Sequence, residues 1–248
     1  MPWAARWKWL VALLWPGLAW GGGPAEPVLQ LYYYDRPPFH YTDEQGQVVG
    51  TVVDATEEAL RRARIQFHWV RMPVNRILTL MRKESRPACS PGWYSTPERR
   101  ADFLFSKATV LDKPLIVMVR ENFPVAEGIT AKDFFERTTV RLLVRQNFSQ
   151  GAYMGALIAR IPPQRVERVN LEVPRMLRML QAGRGDAVLM TEAEAALFVR
   201  EAGLQMSDFR VVRFPDIPAE EYRYILCDRV VGAGVMARID SAIQLKKP

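Results

Sequence analysis

Histidine and cysteine are scarce in this 248-residue chain, with two of each. His40 and His68 are too few and too far apart to suggest a metal site, and Cys89 and Cys227 have no ligand spacing. There is no Gly-x-Ser-x-Gly elbow and no phosphate loop, so neither acyl transfer nor nucleotide chemistry has a motif behind it, and no cofactor is implied. Basic and aromatic residues do not interleave in the manner that tracks nucleic acid; the basic residues are scattered apart from Arg61, Arg62 and Arg64 and the Lys246-Lys247 tail, which reads as a solvated basic face or else as attraction for anionic ligands or a membrane surface. The clearest apolar run, 9–20, falls short of the roughly 20 residues needed to span a bilayer.

What is present begins with that run. Arg6 and Lys8 precede it and Gly21-Gly-Gly-Pro-Ala25 follows, the order of a secretory signal peptide over 1–25, cut after Gly21 or Ala25. An uncleaved anchor is the alternative, and the absence of cysteine near the exit leaves a lipid anchor unsupported. Removing Arg6 and Lys8 takes the formal net charge from +7 to +5. The expected location is therefore periplasmic. There the two cysteines either form one disulfide or serve as small buried hydrophobes.

The mature chain alternates short apolar runs with amphipathic ones. Strands are expected at 28–34, 66–70, 88–92, 140–144, 166–169, 186–189, 209–212 and 222–227, and a hairpin about the turn at Asp43 to Gly46. Helices are expected at 54–64, 73–82, 150–160, 174–181 and 192–201. Such alternation implies mostly parallel sheets with right-handed crossovers. Val74 to Met81 and Val173 to Leu180 share the pattern Val-x-Arg-apolar-Leu-x-apolar-apolar, a local echo of duplication.

The most informative stretch is Ser90-Pro-Gly-Trp-Tyr-Ser-Thr-Pro-Glu-Arg99. A strand ends at Gly92 and turns into a short helix with Thr96 as N-cap, Pro97 at the first helical position and Glu98 in the first turn. Arg99 is thereby tethered at a strand-to-helix corner, where its planar fork can grip a carboxylate with two parallel hydrogen bonds, or else pair with a surface acid.

Gly92-x-x-x-Thr96-Pro97-Glu98-Arg99, followed by Phe105-Ser106, resembles the signature of periplasmic (extracellular) solute-binding proteins of family 3, the polar amino acid type. Pro37-Pro38-Phe39 with Gly46 and Gly50-Thr-Val-Val-Asp54 resembles that family's N-terminal ligand loop and first helix, and Gly185-Asp-Ala-Val-Leu189 the strand of its second lobe. The resemblance implies a type II periplasmic-binding-protein fold of class α/β: two Rossmann-like lobes with mostly parallel sheets joined by two crossover segments. Lobe one would comprise 27–108 plus 219–248 and lobe two 109–218, with hinges near 109–114 and 214–218. Both cysteines would then fall in lobe one. The tail is short for the family, which would weaken packing there.

The same resemblance implies a monomer that traps a small anionic solute between its lobes and hands it to a membrane permease. The expected ligand residues are Arg99 and Gly92, an aromatic lining of Tyr33, Phe39, Trp93 and Tyr94, and from lobe two Ser149, Thr191 and Glu192. Ser149 either caps the helix after Val144 or receives an anion with the backbone amides. The acids with which the family holds a ligand ammonium are replaced here, by position, with Tyr33 and Thr191; Asp35 and Glu192 lie close by. The carboxylate clamp is kept and the ammonium clamp is not, so an organic or aromatic acid competes with an amino acid as the ligand. Two other readings share this fold: a dehydratase in which a buried Glu192 acts as general acid, and a sensing input for a membrane receptor.

Overall fold

A computed structural model describes residues 28–83, 86–146, 148–218 and 221–247. The expected signal peptide lies outside the described residues.

The first part of the chain runs β1 (Leu29–Tyr33), β2 (Tyr41–Thr42), β3 (Val48–Val49), α1 (Thr51–Arg62), β4 (Phe67–Arg71), α2 (Val74–Met81), β5 (Ala88–Trp93), α3 (Pro97–Asp102) and β6 (Leu104–Asp112). It continues through β7 (Leu115–Arg120), α4 (Ala131–Arg137), β8 (Leu142–Arg145), α5 (Gly151–Ile158), β9 (Val166–Val169), α6 (Val173–Gln181), β10 (Ala187–Thr191), α7 (Glu192–Glu201) and β11 (Phe209–Val212). It closes with β12 (Glu221–Cys227) and α8 (Gly232–Ala242).

Two five-stranded sheets result, ordered β4-β1-β5-β12-β6 and β11-β7-β10-β8-β9. In the first, β4, β1 and β5 are parallel and β12 runs against both β5 and β6. In the second, β9, β8 and β10 are parallel and β7 runs against β10 and β11. Each lobe is thus one sheet with its helices. The chain leaves the first sheet after Asp112 and returns to it at Glu221.

Both faces of each sheet are covered, which explains the near-continuous apolar strands. In lobe two, Val117, Val119, Leu142, Val144 and Leu189 pack with Phe134 and Phe135 of α4 and Met154 of α5. The intervening Ile116, Met118, Leu143, Val188 and Met190 pack with Leu177 and Leu180 of α6 and Phe198 of α7. Period-two alternation sends one set to each face. Lobe one repeats the plan, with Leu29, Leu31 and Ile225 against α1 and α8, and Tyr32, Trp93 and Leu226 against Ile77 and Met81 of α2.

Two expectations change, and one open alternative is settled. The connection placed at 109–114 is mostly strand: β6 continues to Asp112, paired with Glu221, because Val110 and Leu111 extend its ladder with β12. The short tail does not leave lobe one thinly packed, since α8 buries Met236 and Ile239 beside Leu60 of α1. Cys89 and Cys227 stand directly opposite one another on β5 and β12 and are joined in a disulfide.

Candidate functional site

The carboxyl ends of β1, β5, β8 and β10 converge on the gap between the lobes, as expected of ligand sites in open parallel sheets. At the end of β5 the chain turns as its sequence directs. Thr96 Oγ1 accepts the Arg99 N–H at 3.3 Å, and Pro97 opens α3. Arg99 is held inward and only 9% exposed. Its guanidinium donates to the Tyr94 carbonyl at 2.8 Å and lies 4.6 Å from the centre of the Trp93 ring. Among the described residues no carboxylate stands within ion-pair distance of it, and burial lowers its pKa against the weaker pull of Tyr34 and Glu98.

Of the cavities lined by both lobes, three border this gap. One of about 680 Å³ is lined by Arg99, Trp93, Thr96, Phe148, Ser149 and Arg168. A second, of about 890 Å³, is lined by Tyr34, Arg36, Arg145, Phe148, Asn170 and Glu172 among others. Between them only about 30 Å³ remains beside Arg36, Tyr94, Ser149 and Glu194, room for about one water molecule.

The chain's own side chains fill that centre. Arg36, just beyond β1, reaches Glu194 in the first turn of α7 with two bonds, Nε to Oε1 at 2.6 Å and Nη2 to Oε2 at 3.1 Å. Tyr34 meets Phe148 edge-on with ring centres 5.8 Å apart, and Asn75 donates to Asn170 at 2.9 Å. These contacts join lobe one to lobe two. Burial works against charge on both members of the Arg36–Glu194 pair, yet their mutual attraction prevails. It leaves Arg36 well above its ordinary pKa and Glu194 at about 2. Arg145 is also desolvated, its pKa lowered by burial despite its exposed partner Glu172, and its guanidinium stacks 3.7 Å from the Phe148 ring centre.

Beneath the cleft lies a second buried ion pair. Arg223 of β12 bonds Asp112 at 2.5 Å, the Gly92 carbonyl at 2.8 Å and the Tyr94 hydroxyl at 3.2 Å, while Tyr94 donates to Asp112 at 2.7 Å. This network ties both crossover strands to the floor of the site. His40, whose pKa burial drops to about 3, stays neutral and donates Nδ1–H to the Tyr34 carbonyl at 2.7 Å.

The expected ligand residues separate into groups. Arg99, Trp93 and Ser149 share one cavity, although Ser149 also accepts the Gly151 N–H at 3.2 Å as a cap. Tyr94 borders the small central space. Gly92 is buried, with φ +84°, and a Cβ there would come within 3.3 Å of the His40 ring and Val52. Tyr33 packs edge-on against Trp69 and shares a hydrogen bond with Thr42, so it is Tyr34 that faces the cleft. Alternation along β1 puts Tyr33 on the face of Leu29, Leu31 and Trp69, and Tyr34 on the opposite face with Tyr32. Phe39, Thr191 and Glu192 line a different cavity of about 500 Å³ beside the crossovers. Glu192 is exposed and paired with Arg213, whose hydrogen bond lowers its pKa. That setting is the reverse of the buried, proton-holding acid a dehydratase needs.

Sequence reasoning missed Arg36, Arg145, Phe148, Glu194, Asp112 and Arg223. Only Glu194 carried a local signal: Thr191-x-x-Glu194 is a capping-box pattern, and both of its reciprocal bonds form. The others act through partners far away in sequence.

Residues 31–147 match the family model of bacterial extracellular solute-binding proteins, family 3. No curated protein sequence matches the chain. Among solved structures, the arginine-bound form of a truncated arginine-binding protein from T. maritima is 22% identical with a TM-score of 0.63, over 87% of this chain and 93% of that one. The arginine-, lysine-, histidine-binding protein ArtJ from Geobacillus stearothermophilus is 20% identical with a TM-score of 0.66, over 88% and 87%. The substrate-binding protein of an amino acid ABC transporter is 17% identical with a TM-score of 0.64, over 88% and 91%. At these identities the structural likeness speaks to fold alone. That likeness shows the two-lobed type II periplasmic-binding-protein fold, and over residues 31–147 the chain is similar to the bacterial extracellular solute-binding proteins of family 3.

Proposed function

We propose that the cleft captures a small solute bearing a carboxylate and that the lobes, each built on one of the two sheets, close on it about the connections near 113–114 and 213–218. The observation that carries this reading is Arg99: a guanidinium nine-tenths buried, without a carboxylate partner among the described residues, in a cavity shared with Ser149 of the other lobe. A buried charge is costly unless compensated, and an incoming anion supplies the missing partner. Arg145 adds a second desolvated cation, and Tyr34, Trp93 and Phe148 provide apolar walls. Because the solute touches both lobes only when they meet, it shifts the open–closed equilibrium toward closure, and the closed shape is what a permease of the outer face recognises.

The names of the arginine- and amino-acid-binding relatives favour a second reading, an amino acid ligand. Against it, the acid that faces the centre of the cleft, Glu194, is already saturated by Arg36 and Thr191. Thermal-shift measurements with a panel of carboxylates test the proposal. A ligand that raises the melting temperature of the wild type should lose about 10- to 100-fold in affinity in Arg99→Ala, the worth of one hydrogen bond to a charged group. An unchanged shift in that variant refutes the assignment.

A further inference from the structure

We infer that Glu194 and Thr191 form a cation subsite in the cleft, which the chain fills with its own Arg36 guanidinium. The subsite is built without help from lobe one. Thr191 donates both its backbone N–H, at 3.1 Å, and its hydroxyl, at 2.8 Å, to Glu194 Oε2. The carboxylate is therefore oriented by its own helix start, and only 2% of the side chain is exposed. Arg36 comes from across the gap, on the loop after β1, its side chain 15% exposed and lying 5.0 Å from the Phe39 ring centre. When the lobes part, Arg36 leaves with lobe one, while Glu194 and Thr191 remain together on lobe two.

The bidentate approach matches what any guanidinium would adopt against a carboxylate. Arg36 thus acts as an internal ligand with two consequences. The cleft can close with no solute at its centre, and a ligand cation finds its natural partner taken. This deepens the anion-binding reading, on which its bearing on solute choice rests: solutes with a free ammonium or guanidinium group are rejected because Arg36 competes at an effective concentration no free cation matches. Removing Arg36 turns a space of about 30 Å³ into one that admits a guanidinium.

The test uses methylguanidinium, a cation with no carboxylate, so that Arg99 plays no part. Calorimetric titration should detect no binding to the wild type and a gain of about tenfold or more in affinity for both Arg36→Ala and Arg36→Met, the latter keeping the apolar stem against Phe39. Small-angle scattering of the same variants should show the expanded form contracting as methylguanidinium is added. Adding Glu194→Gln should abolish both effects. Equal binding to the wild type, no gain in either variant, or a gain that survives Glu194→Gln overturns the inference. Loss of carboxylate binding in the wild type would instead refute the anion reading and leave these outcomes standing.

Discussion

Replacing Glu194 with glutamine keeps the shape of the side chain and removes its charge, leaving Arg36 buried against a neutral amide. The Glu194 carboxyl falls from an ordinary value of 4.5 to about 2, and a difference of that size corresponds to about 3 kcal/mol in favour of the closed, folded state. Loss of one member of a buried pair gives a similar figure, about 3–5 kcal/mol. The sign follows from the depressed pKa. The contribution is fully present above about 4.5 and is lost as pH falls through about 2, where the carboxyl becomes protonated in the folded protein too. Urea unfolding of wild type and Glu194→Gln, stepped from neutral pH downward, reads this directly. The gap between them should be about 3 kcal/mol at neutral pH and should narrow steadily below pH 4.5. Because the pair links the lobes, the variant should also open: about 3 kcal/mol is more than a hundredfold in the closed-to-open ratio, visible as a larger radius of gyration. A gap that is absent at neutral pH, or that stays constant into acid, refutes the reasoning.

Other perturbations probe the scaffold. Cys89→Ser with Cys227→Ser releases a link spanning 138 residues and should cost about 4–5 kcal/mol, measured by denaturant unfolding against the oxidised wild type. Asp112→Asn leaves the Arg223 guanidinium buried without its counter-charge and should cost about 3–5 kcal/mol, with a double variant Asp112→Asn/Arg223→Met recovering part of the loss. Gly92→Ala forces a side chain onto a positive φ and into the His40 ring, and a melting temperature equal to wild type would contradict the about 1–3 kcal/mol expected.

The fold was largely legible because its signals are local. The period of apolar residues in α2 and α6, the Thr96-Pro97 start of α3 and the continuous apolar strands of both sheets each follow from neighbours within a turn or two. Cap chemistry also carried Arg99 to the cleft, since its backbone N–H bonds the N-cap and its side chain can only turn back toward Tyr94. What local pattern could not reach were the pairs that cross the molecule. Arg36 and Glu194 are 158 residues apart, and nothing near Arg36 distinguishes it from a surface cation. The same holds for Arg223, whose partner Asp112 belongs to a strand that sequence reading took for a connection. Tyr33 and Tyr34 lie on opposite faces of β1, and alternation alone did not say which face meets the cleft.

Calorimetry with matched acids that differ only by an α-amino group, such as glutarate with glutamate and 3-phenylpropanoate with phenylalanine, tests the central claim most directly. Tighter binding of the amino-free member, lost in Arg99→Ala, is the result this account predicts. Tighter binding of the amino acid, with Arg99→Ala unaffected, would contradict it.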